Sequence, residues 1–442
     1  MDFTSRLRAV VQGGRQQGTG PLRELTYEPD DGYRAGAPLD LDRVADSLGG
    51  RRVSTRFGEC LVIDRRYEAE RWHGDIRIGD CIVDDMDALR LLDPGLQTGS
   101  PEGAALQAFP RTIFIDLETT GLSGGAGTLA FLVGCGYFDL GAFQVRQFLL
   151  TSHAGERALL AAVADFFGDA DLIVTYNGKT FDVPVMETRW SFHRMEMPLN
   201  DVPHFDMLHP ARRLWKNRAS GGDDDVGCRL STLERTLFDV RRVGDVPGLE
   251  IPGRFFGFVR NGDPRLLEPV LEHNRIDLVS LAAVMARAVQ MTQGGHEACR
   301  DCAEALALGK LYERAEQPVL AEGCYRRASQ SPESLIRADA LYRLGVRLRR
   351  DRRFADAASI WRELMELTEP RSMRRGLLGD LRQVAVEALA IHHEHRVKDL
   401  AGARELALAF LEESGGRPHK VHHRIARLDR KLAKRHDAQL FL

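Results

Sequence analysis

No apolar run in these 442 residues approaches the length of a membrane-spanning helix. The longest, residues 129–138, is about half of the ~20 residues a span requires. Neither sign of charge dominates: 61 Lys and Arg stand against 64 Asp and Glu, a net charge of −3. That balance argues against a surface coated in positive charge for bulk nucleic-acid binding, though it leaves room for a local basic groove. Cysteine is sparse. The seven residues, an odd number, are scattered at Cys60, Cys81, Cys135, Cys228, Cys299, Cys302 and Cys324, which suits reduced thiols better than a disulfide framework. Cys299 and Cys302 have metal or redox spacing with His296 nearby, but the chain has no second Cys-x-x-Cys. A structural role is the simpler reading there, ahead of zinc. Met1-Asp2-Phe3-Thr4 has no basic flank leading into an apolar stretch, so no secretory signal is evident and a cytoplasmic location is expected.

What is present divides into three parts, in keeping with the two or three domains suggested by the length. Residues 1–108 read as a leader rich in Gly, Asp and Pro, as in Glu28-Pro29-Asp30-Asp31-Gly32. A strand pair is expected around residues 60–63 and 76–78, with Gly74 and Gly79 as turn residues. Residues 109–295 read as strands at 112–118, 128–138 and 143–150, a helix at 156–167, a strand at 172–176 and a helix at 183–193. The short Gly-containing links between the first three suit antiparallel hairpins, so the order predicts an α/β domain with a mixed sheet flanked by helices. Residues 296–442 read as almost purely helical. Leu308-Gly309, Ala321 and Tyr325 recur 36 residues on as Leu344-Gly345, Ala357 and Trp361, with a looser third copy across 388–411. Small residues paired with aromatics at that period look like tetratricopeptide (TPR) helix pairs. Ordinary antiparallel helices with a chance echo are the plainer alternative.

Three short segments in the middle carry chemistry. Asp116 and Glu118 lie two apart in an apolar strand, so both project from one face. Two carboxylates side by side in a partly dry setting repel each other unless a cation lies between them, and oxygen-preferring Mg²⁺ or Mn²⁺ would resolve that conflict. Asn177 and Gly178 form a turn dipeptide after a strand, and Phe181-Asp182 then opens a helix. His273 precedes Asp277 by one helical turn, which places both on one face. Taken singly, these are a solvated strand end, a helix N-terminal acid and a surface pair.

The ordered combination Asp116-x-Glu118, Asn177-x-x-x-Phe181-Asp182 and His273-x-x-x-Asp277 resembles the three exonuclease motifs of the DEDD nucleases, within the RNase-H-like superfamily. The likeness covers residues 109–291. It is nearest to the YprB-type bacterial RNase-H-like proteins, which share the leader and segments like Arg229-Leu230-Ser231-Thr232-Leu233-Glu234 and Asp245-Val246-Pro247-Gly248. The resemblance implies a mixed five-stranded sheet, and a 3′→5′ exonuclease acting on DNA or RNA. Asp116, Glu118, Asp182 and Asp277 would ligate two divalent ions, with His273 as general base. Asn177 and Phe181 would shape the second motif. One departure stands: nucleases of this class with a histidine base usually place it five residues before the last aspartate, and this chain has it four before.

The glycine-rich stretch 121–127 lacks the Lys-Ser/Thr of a phosphate-binding loop and is followed by a strand-like run, so a flexible rim beside Asp116 is the better expectation. Arg212, Arg213, Lys216 and Arg218, with Arg235, Arg241 and Arg242, could furnish a phosphate track. Residues 417–435 hold eight Lys and Arg against one Asp, either a second electrostatic foothold or the polar face of a capping helix. The helical arm would engage a protein partner through a concave surface. Rival readings are a scaffold that keeps the fold without turnover, and a structure-selective endonuclease.

Overall fold

The computed structural model describes residues 39–96, 111–121, 127–216, 228–368, 376–413 and 419–440. Its strands, in chain order, are β1 (Arg51–Thr55), β2 (Gly58–Tyr67), β3 (Trp72–His73), β4 (Ile76–Arg77), β5 (Thr112–Thr119), β6 (Ala130–Asp139), β7 (Ala142–Leu149), β8 (Leu172–Thr175) and β9 (His204–Asp206). Seven of them form one mixed sheet in the order β1-β2-β7-β6-β5-β8-β9. The β1 to β7 part is antiparallel, and β8 and β9 join parallel to β5. A two-residue loop, Leu140-Gly141, closes the β6–β7 hairpin with both residues at positive φ, the backbone twist that tight hairpins favour.

The sheet is wider than the expected five strands because the leader contributes two. β2 lies antiparallel along β7, with Leu61 opposite Leu149 and Ile63 opposite Gln147. Its central residues Cys60–Ile63 are buried, so the leader is integral to the core. The pairing expected between residues 60–63 and 76–78 does not form. β4 instead closes a small hairpin with β3, and Ile78 begins a 3₁₀ turn. Leader residues 1–38 lie outside the described chain.

The two faces of the sheet bury separate apolar clusters. Ile113, Ile115 and Leu117 of β5 pack with the helices Glu156–Phe167, Asp182–Phe192 and Ile251–Asn261. Phe114 faces the other way, toward the helix Leu230–Phe238 and the 31-residue helix Glu268–Ala298. That long helix continues into the helical region: Leu278 to Met291 share one core with Leu308, Tyr312, Tyr325, Leu344 and Trp361. Gly295, at φ 60° and ψ −145°, breaks it near its end. The helices Cys302–Arg314, Pro318–Ala328, Ser334–Arg350 and Phe354–Leu367 follow. A Cβ on Gly309 would stand 2.6 Å from the Tyr325 ring, and one on Gly345 would stand 2.7 Å from the Trp361 ring. The echo in sequence is therefore the same close helix contact made twice. Among the described residues no helix is long and apolar enough to cross a membrane.

Candidate active site

Three elements converge at the C-terminal end of β5. The Asp116 and Glu118 side chains leave the same face of β5, opposite Gly134 and Leu132 of β6, and the register slips between Glu118 and Thr119. Such a bulge re-aims side chains at the edge of a site. After β8 the chain turns at Asn177, held at φ 68°, and Asp182 opens the next helix. The main-chain N–H of Leu117 donates to Asp182 Oδ1 at 3.3 Å, tying this turn to β5. The long helix supplies His273, Asn274 and Asp277. A cleft of about 650 Å³ is lined by Asp116, Glu118, Asp182, His273 and Asp277 together, with Phe181 at its edge.

Burial dominates the electrostatics, and crowding of like charges adds to it. Burial pushes the Asp116 carboxyl well above the usual carboxylate range, and the charges of Asp277, Glu118 and Asp182 add to the shift. Glu118 is raised for the same reasons, burial first and then Asp277 and Asp182. Burial carries Asp182 up to about 7, against the lowering effect of the Leu117 amide. One cation already serves the cluster. The Arg242 guanidinium bonds Asp277, grips Glu234 at 2.6 and 2.9 Å and reaches Asp245 Oδ2 at 3.2 Å. Asp245 Oδ1 lies 2.6 Å from His273 Nδ1, and His273 Nε2 lies 3.5 Å from Asp277 Oδ2.

Of the other residues named from the sequence, Phe181 stays at the cleft and most of the rest are placed elsewhere. Asn177 does not line the cleft. Its main-chain N–H donates to Asp206 at 2.7 Å, and Asp206 also accepts from the N–H groups of Lys179 and Leu208. The Phe181 ring is 55% exposed at the cleft edge. Arg212 and Arg213 are not among the cleft-lining residues, and Arg213 Nη1 donates to the Leu92 carbonyl. Arg242 serves the carboxylates rather than a phosphate track. Arg241 is exposed and paired with Asp239. Arg218 and residues 122–126 of the glycine stretch lie outside the described residues. Sequence reasoning missed Asn274, which is fully buried and donates to Asp116 Oδ2 at 2.8 Å. It also missed the organising roles of Asp206, Glu234, Arg242 and Asp245. For Asn274 a signal existed, a polar residue next to His273 and within one turn of the buried apolar Val270, Leu271 and Leu278.

The RNase_H superfamily profile matches residues 113–289. Over 386 residues the chain is 32% identical to the uncharacterized protein YprB of Bacillus subtilis (strain 168), across 85% of this chain and 86% of that protein. The chain belongs to the YprB family of RNase H superfamily proteins. A fainter structural likeness, TM-score 0.32 at 12% identity, runs to the family B DNA polymerase of the hyperthermophilic archaeon Pyrobaculum calidifontis. It covers 55% of this chain and 29% of the polymerase chain.

RNase H-like nucleases generally use divalent metal ions, and the donor chemistry of this YprB-family cleft fits them. Every candidate ligand is a carboxylate, the hard oxygen donor such ions prefer. Three of the four have a raised affinity for protons, from burial first and from neighbouring carboxylates second, a setting that a bound cation would relieve. Among the described residues no three His, Cys, Asp or Glu side chains converge tightly enough to enclose an ion as they stand. The fourth carboxylate, Asp277, is engaged by Arg242.

Proposed function

We propose that this protein is a divalent-metal-dependent nuclease that hydrolyses phosphodiester bonds of DNA or RNA, acting as a 3′→5′ exonuclease. The observation that carries this reading is one cleft lined by Asp116, Glu118, Asp182, Asp277 and His273, drawn from three separate stretches of chain. In this reading the four carboxylates hold Mg²⁺ or Mn²⁺. When bound, such ions supply Lewis acidity toward the phosphate and ease deprotonation of water. His273 Nε2 accepts the proton of the attacking water, and the exposed Phe181 ring offers the terminal base a stacking surface. The helical region after residue 296 would be a TPR-like arm that engages a protein partner.

End-labelled single- and double-stranded DNA and RNA incubated with Mn²⁺ test this reading directly. A ladder shortening from the 3′ end supports it, and discrete internal fragments would make the protein an endonuclease. Calorimetric Mn²⁺ titration should show binding that Asp116→Ala abolishes. A lack of binding in both proteins would favour the silent scaffold, in which Arg242 permanently fills the cationic role.

A further inference from the structure

We infer that Asp245 is a positioning residue that fixes the ring of His273, presenting Nε2 to the cleft as the proton acceptor. This rests on the nuclease reading above and adds to it a residue from outside the three motif segments. His273 Nδ1 lies 2.6 Å from Asp245 Oδ1. An ionised carboxylate only accepts hydrogen bonds, so this contact, far shorter than the 3.5 Å from Nε2 to Asp277 Oδ2, favours the ring proton on Nδ1 and turns Nε2 toward the cleft.

The Asp245 carboxylate is itself held on both oxygens. Oδ1 also accepts from the Val246 N–H at 3.0 Å, and Oδ2 accepts from Arg242 Nη1 at 3.2 Å. Arg242, with its side chain 8% exposed, is anchored in turn by Glu234, which is 1% exposed. Glu234 accepts from Ser280 Oγ at 2.5 Å, and Ser280 Oγ contacts His73 Nε2 of the leader at 2.8 Å. Burial alone would raise the Asp245 carboxyl, but His273 and Arg242 outweigh it and hold the group below its usual range. A histidine one helical turn before Asp277 thus acquires an orienting partner from the loop before the helix Ile251–Asn261.

In the step served, a proton of the attacking water passes to Nε2 and the water oxygen bonds phosphorus. The bond from phosphorus to the leaving oxygen breaks with its electron pair, and that oxygen takes a proton from solvent. Asp245 keeps its hydrogen bond to Nδ1–H throughout and offsets the imidazolium charge. Substituting Asn for the corresponding Asp of serine proteases costs about 10⁴ in kcat through the wrong tautomer, so D245N should lower kcat here by roughly 10²–10⁴.

The test uses the full chain with ¹⁵N-labelled histidine, the H273Q spectrum assigning the signals. Wild type should show the Nδ1–H tautomer and D245N should lose it. Turnover of D245N should fall while KM and Mn²⁺ affinity stay within about twofold, and D245E should recover part of the rate. An Nε2–H tautomer in wild type, an unchanged kcat in D245N, or loss of Mn²⁺ binding matching D116A would each overturn the inference. The last would make Asp245 an ion ligand. The tautomer measurement needs no turnover, so a wild type that cleaves nothing would sink the nuclease reading while the spectrum still decides this one. If D245N does not fold, D245A, which also lacks the carboxylate, carries the same comparisons.

Discussion

Asn274 and Gly134 should behave as one thermodynamic unit. Asn274 Nδ2 donates to Asp116 Oδ2 at 2.8 Å and to the Asp116 carbonyl at 3.1 Å. Its Oδ1 accepts from Gln147 Nε2 at 2.7 Å. Each such bond contributes about 1 kcal/mol net, more where a partner is charged, so Asn274→Ala should cost roughly 3 kcal/mol. The amide fits only because Gly134 has no side chain: a Cβ there would stand 2.1 Å from Asn274 Oδ1 and 2.6 Å from Nδ2. Gly134→Ala must therefore expel the amide and break the same bonds, at a similar cost. With the amide gone, the alanine methyl meets no such obstacle. The double variant should then lose roughly 3–4 kcal/mol rather than 6, a coupling of about 2–3 kcal/mol. Urea denaturation of the four proteins, followed by the fluorescence of the buried Trp190 and Trp215, measures this. Losses that add to within about 0.5 kcal/mol would refute the shared contact.

Two further outcomes follow from the charges. The folded Asp182 titrates near 7, far above the ordinary 3.8, so the metal-free protein binds more protons folded than unfolded in between. Its unfolding free energy should fall as pH rises from about 4 to 7. Urea midpoints in EDTA that rise across this window would contradict it, and added Mn²⁺ should reverse the loss. In the helical region, burial would raise Glu394, but Arg427 and Lys431 outweigh it and bring the group to about 2. That support is full above about pH 4.5 and is lost as pH falls toward 2. Glu394→Gln should accelerate proteolysis within the helix His419–Leu440 at pH 7, and unchanged cleavage would count against it.

The mixed sheet and the five cleft residues could be read in the chain because their signals are local. An apolar strand with two acids spaced by two, a turn dipeptide before a helix-opening aspartate, and a histidine one turn before an aspartate each need only a few neighbouring residues. The two extra strands could not be read this way. Leu61 opposite Leu149 is a long-range pairing that nothing in the residues 60–63 specifies, and the nearer apolar stretch at 76–78 was the more obvious partner. Arg242 and Asp245 sit in a stretch without periodic pattern, so their convergence on His273 and Asp277 depends on how one loop crosses a distant helix. Arg242 also shows the limit of counting charges, since a cation in a basic-looking run was already committed to buried acids.

The 31-residue helix Glu268–Ala298 carries Asp277 in its first third and abuts the helical array at its far end. At 1.5 Å per residue, the uninterrupted stretch from Asp277 to Gly294 is a rod of about 26 Å. Swinging that rod by 5° about the array would displace the carboxylate by roughly 2 Å, comparable with a whole metal–oxygen bond. Cleft and array thus share one stiff element, held between them against β5, β6 and the helix Leu230–Phe238, so a shift of one would be felt at the other.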